Sequence, residues 1–306
     1  MPVQMTILRV HHLTRYSYRK PVGFGQHRLM FRPRDSYDQR LLSSTLIVSP
    51  LPSDLFWIHD VFGNCVAVAD FDAEADHLSF ETNIVLDHSP QLGPHFRTDD
   101  SGKTWPFAYD DEDLPDLRPY MQRQHADDGV TEAWARRFVN AYGATSTAAV
   151  LESMTLAIKS DFNYNRRTNP GTQTPEMTLY SLSGTCRDFA LLMMEAVRAL
   201  GFAARFVTGY IYVPSRDGSE LLGGGATHAW VQVFLPGAGW VEFDPTNGII
   251  GNQDLIRVGV TRDPRQAIPL WGTHTGSRMD FLGMDVQVNV ISADLADDPQ
   301  LLSLKG

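Results

Sequence analysis

The sequence predicts an α+β protein. A β-rich N-terminal part precedes a core in which one apolar helix, bearing a cysteine, packs on an antiparallel sheet bearing a histidine and an aspartate. Three observations lead there. Residues 6–90 break into short β-branched and aromatic runs separated by turn formers, the pattern of a sandwich or small barrel. The turn Ser183-Gly184-Thr185 runs straight into Cys186 and an apolar helix ending at Leu200, with Gly201 as its stop. Two strand-like stretches follow, one holding Thr227-His228-Ala229-Trp230 and one leading into Glu242-Phe243-Asp244-Pro245-Thr246-Asn247-Gly248.

In chain order, residues 1–90 form the β-rich domain, with strands expected at Thr45–Val48, Cys65–Ala69 and Asn83–Leu86 and a Gly63-Asn64 turn between two of its runs. Cys65 begins a strand with no helix behind it and reads as structural. In residues 91–130 four prolines interrupt a polar, acidic segment, so it reads as a connector wrapping the surface, pinned by Trp105, Phe107 and Tyr109. The core, 131–260, opens with two helices. Thr131 starts the first, with Trp134, Phe138 and Tyr142 on one face and Gly143 as its stop; Ser146 or Thr147 caps the second, with Val150, Leu151, Met154 and Ile158 at helical spacing. A loop through Asn169-Pro170-Gly171 leads to the cysteine helix. Its Phe189, Leu192, Met193, Met194, Val197 and Leu200 lie on more than one face, so neighbours bury it on most sides. A strand is expected over Ala204–Val213. The glycine run Gly223–Gly225 lacks the strand–turn–helix context of a dinucleotide site and is assigned no phosphate role. Strands at His228–Leu235 and Gly239–Asp244 follow. Residues 261–306 form an extension with one strand, Asp285–Ile291, and a frayed end from Ala293.

Composition excludes several function classes. A formal net charge of -10 over 306 residues argues against nucleic acid as the main partner. The eight Arg and Lys of residues 1–40 face only Asp35 and Asp38; this is read as a solvated face, with a basic binding surface as the alternative. Two cysteines make no disulfide framework and no cysteine-rich zinc site, no HExxH motif occurs, and His11-His12 are adjacent rather than helix-spaced. No metal or other cofactor is expected. The first residues carry no secretory leader and no apolar run nears the ~18 residues of a membrane span, so a cytoplasmic location without membrane partners is expected.

The chemistry centres on Cys186. The first N–H groups of a helix lack intrahelical partners and carry the positive end of its dipole, which stabilises a thiolate placed there. A thiolate nucleophile needs a base, and the base an orienting partner; His228 and Asp244 supply both types. A lone cysteine before a helix, or a lone histidine on a strand, is more often structural; the three in this order and context reverse that. Strand alternation adds a condition. For Asp244 to reach His228 the two strands must present them on one face. A four-residue loop pairing Leu235 with Trp240 turns Asp244 away. A three-residue loop pairing Leu235 with Gly239, or a five-residue loop pairing Val233 with Gly239, brings them together, so an odd connection or a compensating bulge is expected.

At these residues the sequence resembles the transglutaminase-like superfamily, a papain-like group of cysteine enzymes. The likeness rests on Gly184-Thr185-Cys186-Arg187-Asp188-Phe189 with its helix, His228-Ala229-Trp230-Val231-Gln232-Val233, and Gly239-Trp240 through Asn247-Gly248, within residues 140–251. The N-terminal part, with His12-Leu13-Thr14-Arg15-Tyr16 and Asp60-Val61-Phe62-Gly63-Asn64, is similar to the β-rich domain preceding this core in many bacterial members. The resemblance implies Cys186 as nucleophile, His228 as base and Asp244 as its orienting residue. It places Tyr164 where the family has an aromatic oxyanion donor, beside the Cys186 N–H as the other donor, and makes Asp188 a cap or loop anchor. Asn247 is the reserve should Asp244 be turned away. Arg187 departs from the family pattern, where a Gln or small residue is more common, and bears on substrate preference. The implied activity is acyl transfer from an amide or peptide donor through a Cys186 thioester, with a protein or peptide as partner. Water as acceptor gives hydrolysis and an amine gives transglutamination. The alternative is a catalytically silent binding module on the same fold. A serine hydrolase is disfavoured, because Ser181-Leu182-Ser183-Gly184 lacks the first glycine of GxSxG.

Overall fold

The computed structural model describes residues 6–90, 96–165, 171–213 and 226–293. The glycine run at 223–225, part of the loop before Gly171 and the tail beyond Ala293 lie outside the described residues.

The N-terminal part is a sandwich of two four-stranded sheets. One contains Thr6–Gly23, Glu74–His88 and Gln39–Ser49; the other contains His27–Leu29, Cys65–Asp70 and Asp54–His59. Alternation is clean along Glu74–His88, where even-numbered residues from Leu78 are buried and their neighbours are not. Leu78 and Phe80 pack with Leu29, Ala67 and Ala69 inside the sandwich, whereas Ile84 and Leu86, on the same face, pack against Tyr210, Ile256 and Val258 of the core. One long strand therefore serves two apolar interiors, and this joins the sandwich to the rest of the chain. Polar groups complete the junction. His12 Nδ1 meets Tyr210 Oη at 3.0 Å, Asn64 makes a two-way bond to the Val260 backbone at 2.8 and 2.9 Å, and Arg257 bridges Asp38 and Glu242.

Four sequence expectations need correction. The stretch expected as a loop before the cysteine helix holds a short helix, Pro175–Ser181, capped by Thr174. The expected C-terminal extension is an integral part of the sandwich: Phe281–Ala293 pairs along Thr6–Gly23, and Leu270–Trp271 pairs with His27–Leu29, so each sheet gains its last strand from the end of the chain. The connector carries a helix, Leu114–Met121. Its Pro115 lies in the first turn, where a missing N–H breaks no bond. The helix expected from Thr131 to Tyr142 ends early: Val130–Ala135 passes into a tight turn at Arg136–Phe138, and Tyr142 is fully exposed. There Asn140 takes up a local turn instead, its N–H bonded to Thr145 Oγ1 and its side chain to Ala144 O.

The core sheet has five antiparallel strands in the order Ile249–Ile250, Gly239–Asp244, His228–Leu235, Ala204–Ile211, Leu255–Thr261. The helix Cys186–Ala199 lies on it, with Phe189, Leu192, Met193 and Val197 buried among sheet residues and the helix Thr147–Asp161. Ser146 caps that second helix through Ala149 N–H. The connector is pinned as expected: Trp105 Nε1 donates to Leu200 O at 2.7 Å, and Tyr109 Oη donates to Phe234 O while accepting from Ala203 N, both at 2.9 Å. At the far end of the helix Arg198 pairs with Glu195 at 2.9 Å, both side chains fully buried, and Glu195 also accepts from the N–H groups of Gln124 and His125. Arg198 also donates to Tyr120 O and Ala204 O, at 2.8 Å each, so the buried pair fastens connector to helix.

Candidate active site

Cys186 is the first residue of its helix and is buried. Thr185 is the N-cap; its side chain accepts from Asp188 N–H, while the Asp188 carboxylate accepts from Thr185 N–H at 2.8 Å and from its hydroxyl at 2.9 Å. This reciprocal box leaves the N–H groups of Cys186 and Arg187 as the unpaired positive end of the helix. The other Asp188 oxygen accepts from Gln173 N–H at 2.7 Å. Asp188 is thus both cap and loop anchor. A two-residue parallel ladder sets Tyr164 beside Gly184, two residues from the cysteine.

His228 opens its strand and Asp244 ends the next. Leu235 pairs with Gly239 across the three-residue loop Pro236-Gly237-Ala238, and the ladder runs to Val231 and Phe243. Of the two odd connections, this one puts Asp244 diagonal to His228. Gly237, at φ 78°, makes the turn possible. His228 Nε2 meets Asp244 Oδ2 at 2.8 Å, with both side chains fully buried. Asn247 Nδ2 donates to the same oxygen at 2.8 Å, and Thr246 N–H to the other at 2.9 Å. Asn247 therefore joins Asp244 rather than replacing it.

Burial alone would push the His228 imidazolium down. The Asp244 charge and hydrogen bond, aided by Cys186, outweigh it and push the pKa up to about 10. For Asp244, burial pushes up, but His228, Asn247 and Thr246 more than offset it and hold the carboxyl below its usual range. His228 Nδ1 is buried and, among the described residues, bonds no nitrogen or oxygen. The neighbour left to it is Cys186, whose sulfur interacts with the ring. The contact is looser than a strict hydrogen bond, as in resting sites that tighten around substrate. Trp230 stacks on the imidazole at 28°.

Cys186 opens on a cavity of about 510 Å³. Thr185 and Arg187 form one wall; the opposite wall is the returning segment Pro264–Gly272, with Tyr16 of the sandwich at its edge. Arg187 joins the walls, donating to Pro264 O at 2.7 Å and Ala267 O at 3.1 Å while its guanidinium lies over Phe206. Sequence reasoning flagged Arg187 but missed the segment it holds, because nothing local in Pro264–Gly272 signals a contact so distant in sequence. Among the described residues no group of three His, Cys, Asp or Glu side chains is arranged to hold a metal ion.

Residues 132–245 match the family model of the transglutaminase-like superfamily, and residues 8–87 match that of the bacterial transglutaminase-like N-terminal region. An uncharacterised protein of Mycobacterium tuberculosis is 29% identical over 297 residues, covering 92% of each chain. A protein-glutamine gamma-glutamyltransferase of Pseudomonas aeruginosa is 38% identical over 72 residues, 21% of this chain and 10% of that one. Among solved structures, one from Cytophaga hutchinsonii described as "a Putative Cysteine Protease" superposes with a TM-score of 0.72 at 18% identity, covering 95% of this chain and 92% of that one; at that identity the likeness is one of fold. With the two matched regions lying on the sandwich and on the cysteine–histidine core, the chain belongs to the transglutaminase-like superfamily, in the bacterial form with an N-terminal β-rich region.

Proposed function

We propose that the protein is a cysteine-dependent acyl-transfer enzyme acting on an amide or peptide donor, with water as its principal acceptor. The observation that carries this reading is the buried His228–Asp244 pair at 2.8 Å with its second ring nitrogen left to Cys186 at a helix start. In the resting state His228 carries a proton, favoured by Asp244 and by the adjacent Cys186 sulfur. The thiolate attacks the donor carbonyl carbon, and the developing oxyanion is met by the Cys186 N–H. His228 then gives its proton to the leaving amine as the C–N bond breaks, which leaves a thioester and a neutral imidazole. Water, deprotonated by His228, attacks the thioester; the acid departs and the thiolate and imidazolium are restored. Asp244 holds the ring and favours its charged form throughout. Water is taken as the acceptor because it is always present, whereas an amine competes with it only in a site that excludes water.

The test is intact-mass detection of an acyl adduct on Cys186 after mixing with a peptide library, followed by product analysis with and without a primary amine. An adduct absent from Cys186→Ala, turning over to free acid in both cases, is the expected result. No adduct and no turnover would leave the fold as a binding module. Amide products dominating when amine is added would make it a transglutaminase.

A further inference from the structure

The cavity at Cys186 does not end at the core. It shares Arg265, Ile268 and Trp271 with a second cavity of about 640 Å³ lined by Gln26, Arg28, Met30, Ile58 and Val66. Those residues have a common origin. Trp271 lies directly opposite Arg28 in one ladder, Arg28 opposite Val68 in the next, and Val66 opposite Ile58 in the third. Directly paired residues share a face, and so do residues two apart along a strand. Apart from Leu29, which is buried in the sandwich interior with Ala67 and Ala69, the strand residues of the lining, Arg28, Val66, Ile58 and Trp271, belong to the outer face of the second N-terminal sheet. The returning segment is fixed against this sheet. Gly272 leaves no room for a side chain, since a Cβ there would lie 2.0 Å from the His27 ring, and Arg187 holds the other end of the segment at Pro264 and Ala267.

Each cavity alone has the size of a small-molecule site, and a reacting amide side chain fills only a fraction of the first. The two cavities, which meet at Arg265, Ile268 and Trp271, together fit an extended chain. Its chemistry is apolar with a positive charge. Ile58, Ile268 and Trp271 are exposed to 37%, 43% and 52%, unusual for side chains of this size clustered on one face. The groove's carboxylate, Asp60, is turned inward, accepting from the N–H groups of Phe62 and Asn64 and from the Asn64 amide. Arg265 is paired with Asp263 through two hydrogen bonds. Arg28 is exposed and lines the groove, and among the described residues the hydrogen bond it makes is from Nε to Gln26 at 3.3 Å, which leaves its outer nitrogens available to an occupant.

We propose that this outer face is the subsite that reads a polypeptide donor beside its reacting amide, with an apolar side chain against Trp271, Ile268 and Ile58 and a carboxylate on Arg28. The inference rests on the acyl-transfer reading, since it takes the groove as the path of the same donor. It gives the sandwich and the C-terminal return a common role, which is substrate recognition.

The test uses the full chain carrying Cys186→Ala, immobilised and exposed to a degenerate dodecapeptide library, with bound peptides read by mass spectrometry. Peptides combining Asp or Glu with an aliphatic or aromatic residue should be enriched. Adding Arg28→Glu should reduce that enrichment at least tenfold and turn it towards Lys and Arg; adding Trp271→Ala should abolish the apolar preference and keep the acidic one. Enrichment absent, or unchanged by both substitutions in chains with wild-type circular dichroism, would overturn the proposal. So would a concentration-dependent dimer of the unmodified chain that Trp271→Ala dissolves, because a second copy would then own the face. Alkylation of Cys186 by iodoacetamide in the wild-type chain is read in parallel. Slow alkylation counts against the catalytic reading alone, and the peptide result judges the groove separately.

Discussion

The two cysteines of this chain have nearly the same neighbours in name. Cys65 lies directly opposite His59 in an antiparallel ladder, and Asp60 follows. Cys186 has His228 and Asp244. The difference is in what each group is doing. Cys65 starts a strand, so no helix N-terminus stands behind it. His59 is exposed, and Asp60 is committed to the turn that joins the two strands. At the other site the helix start, the buried imidazole and the carboxylate at 2.8 Å converge. A cysteine, a histidine and an aspartate close in space are therefore not yet a catalytic site. The acid must have an oxygen facing the ring, and the sulfur must have a fixed positive field.

The comparison breaks most visibly under substitution of the sulfurs. Cys186→Ala should lower turnover by on the order of 10⁵–10⁶-fold, as for loss of a nucleophile elsewhere, while Cys65→Ser should stay within about twofold; steady-state assays of both variants decide it. Next is Asp244→Asn, which keeps the shape but removes the charge that holds His228 protonated. Turnover should fall by on the order of 10²–10⁴-fold.

The same substitution has a pH signature. His228 has a folded pKa of about 10, above its unfolded value. Its stabilisation is therefore whole below ~6.5 and lost as pH rises through about 10. Asp244 is depressed; its share is whole above ~3.9 and lost as pH falls through its folded value. Asp244→Asn should thus destabilise most between about pH 4 and 6.5, by roughly 3–5 kcal/mol, and clearly less at pH 10. Urea titrations at pH 5.5 and 10 measure this, and equal losses at both would contradict it. A smaller effect is expected for Asn247→Ala, about tenfold in turnover, because Thr246 N–H still holds Asp244. Smallest is Thr185→Ala, which removes a cap and should cost about 1 kcal/mol in thermal unfolding.

Much of this site could be read in the sequence because its causes are local. The capping box at Thr185 and Asp188, the buried helix behind Cys186 and the parity of the loop at Pro236–Ala238 follow from spacing within a few residues. What could not be read depends on contacts distant in sequence. Phe281–Ala293 looked like a lone strand because its partner, Thr6–Gly23, lies at the other end of the chain. Arg187 looked like a departure from a pattern because the carbonyls it binds, Pro264 O and Ala267 O, belong to a segment with no regular periodicity. Tyr142 misled because an aromatic at helical spacing outweighed the polar turn at Asn140.

The most direct measurement is the rate of iodoacetamide alkylation at each cysteine of the folded wild-type chain at pH 6, read by peptide mass spectrometry. Exposure alone favours Cys65, which is half-buried, over Cys186, which is 6% exposed. An unassisted thiol near ~8.5 is almost wholly protonated at that pH. With His228 protonated up to about 10, Cys186 should nevertheless react at least tenfold faster than Cys65 and lose that advantage in His228→Ala. Cys65 reacting as fast as or faster than Cys186, or a Cys186 rate indifferent to His228, would contradict the account.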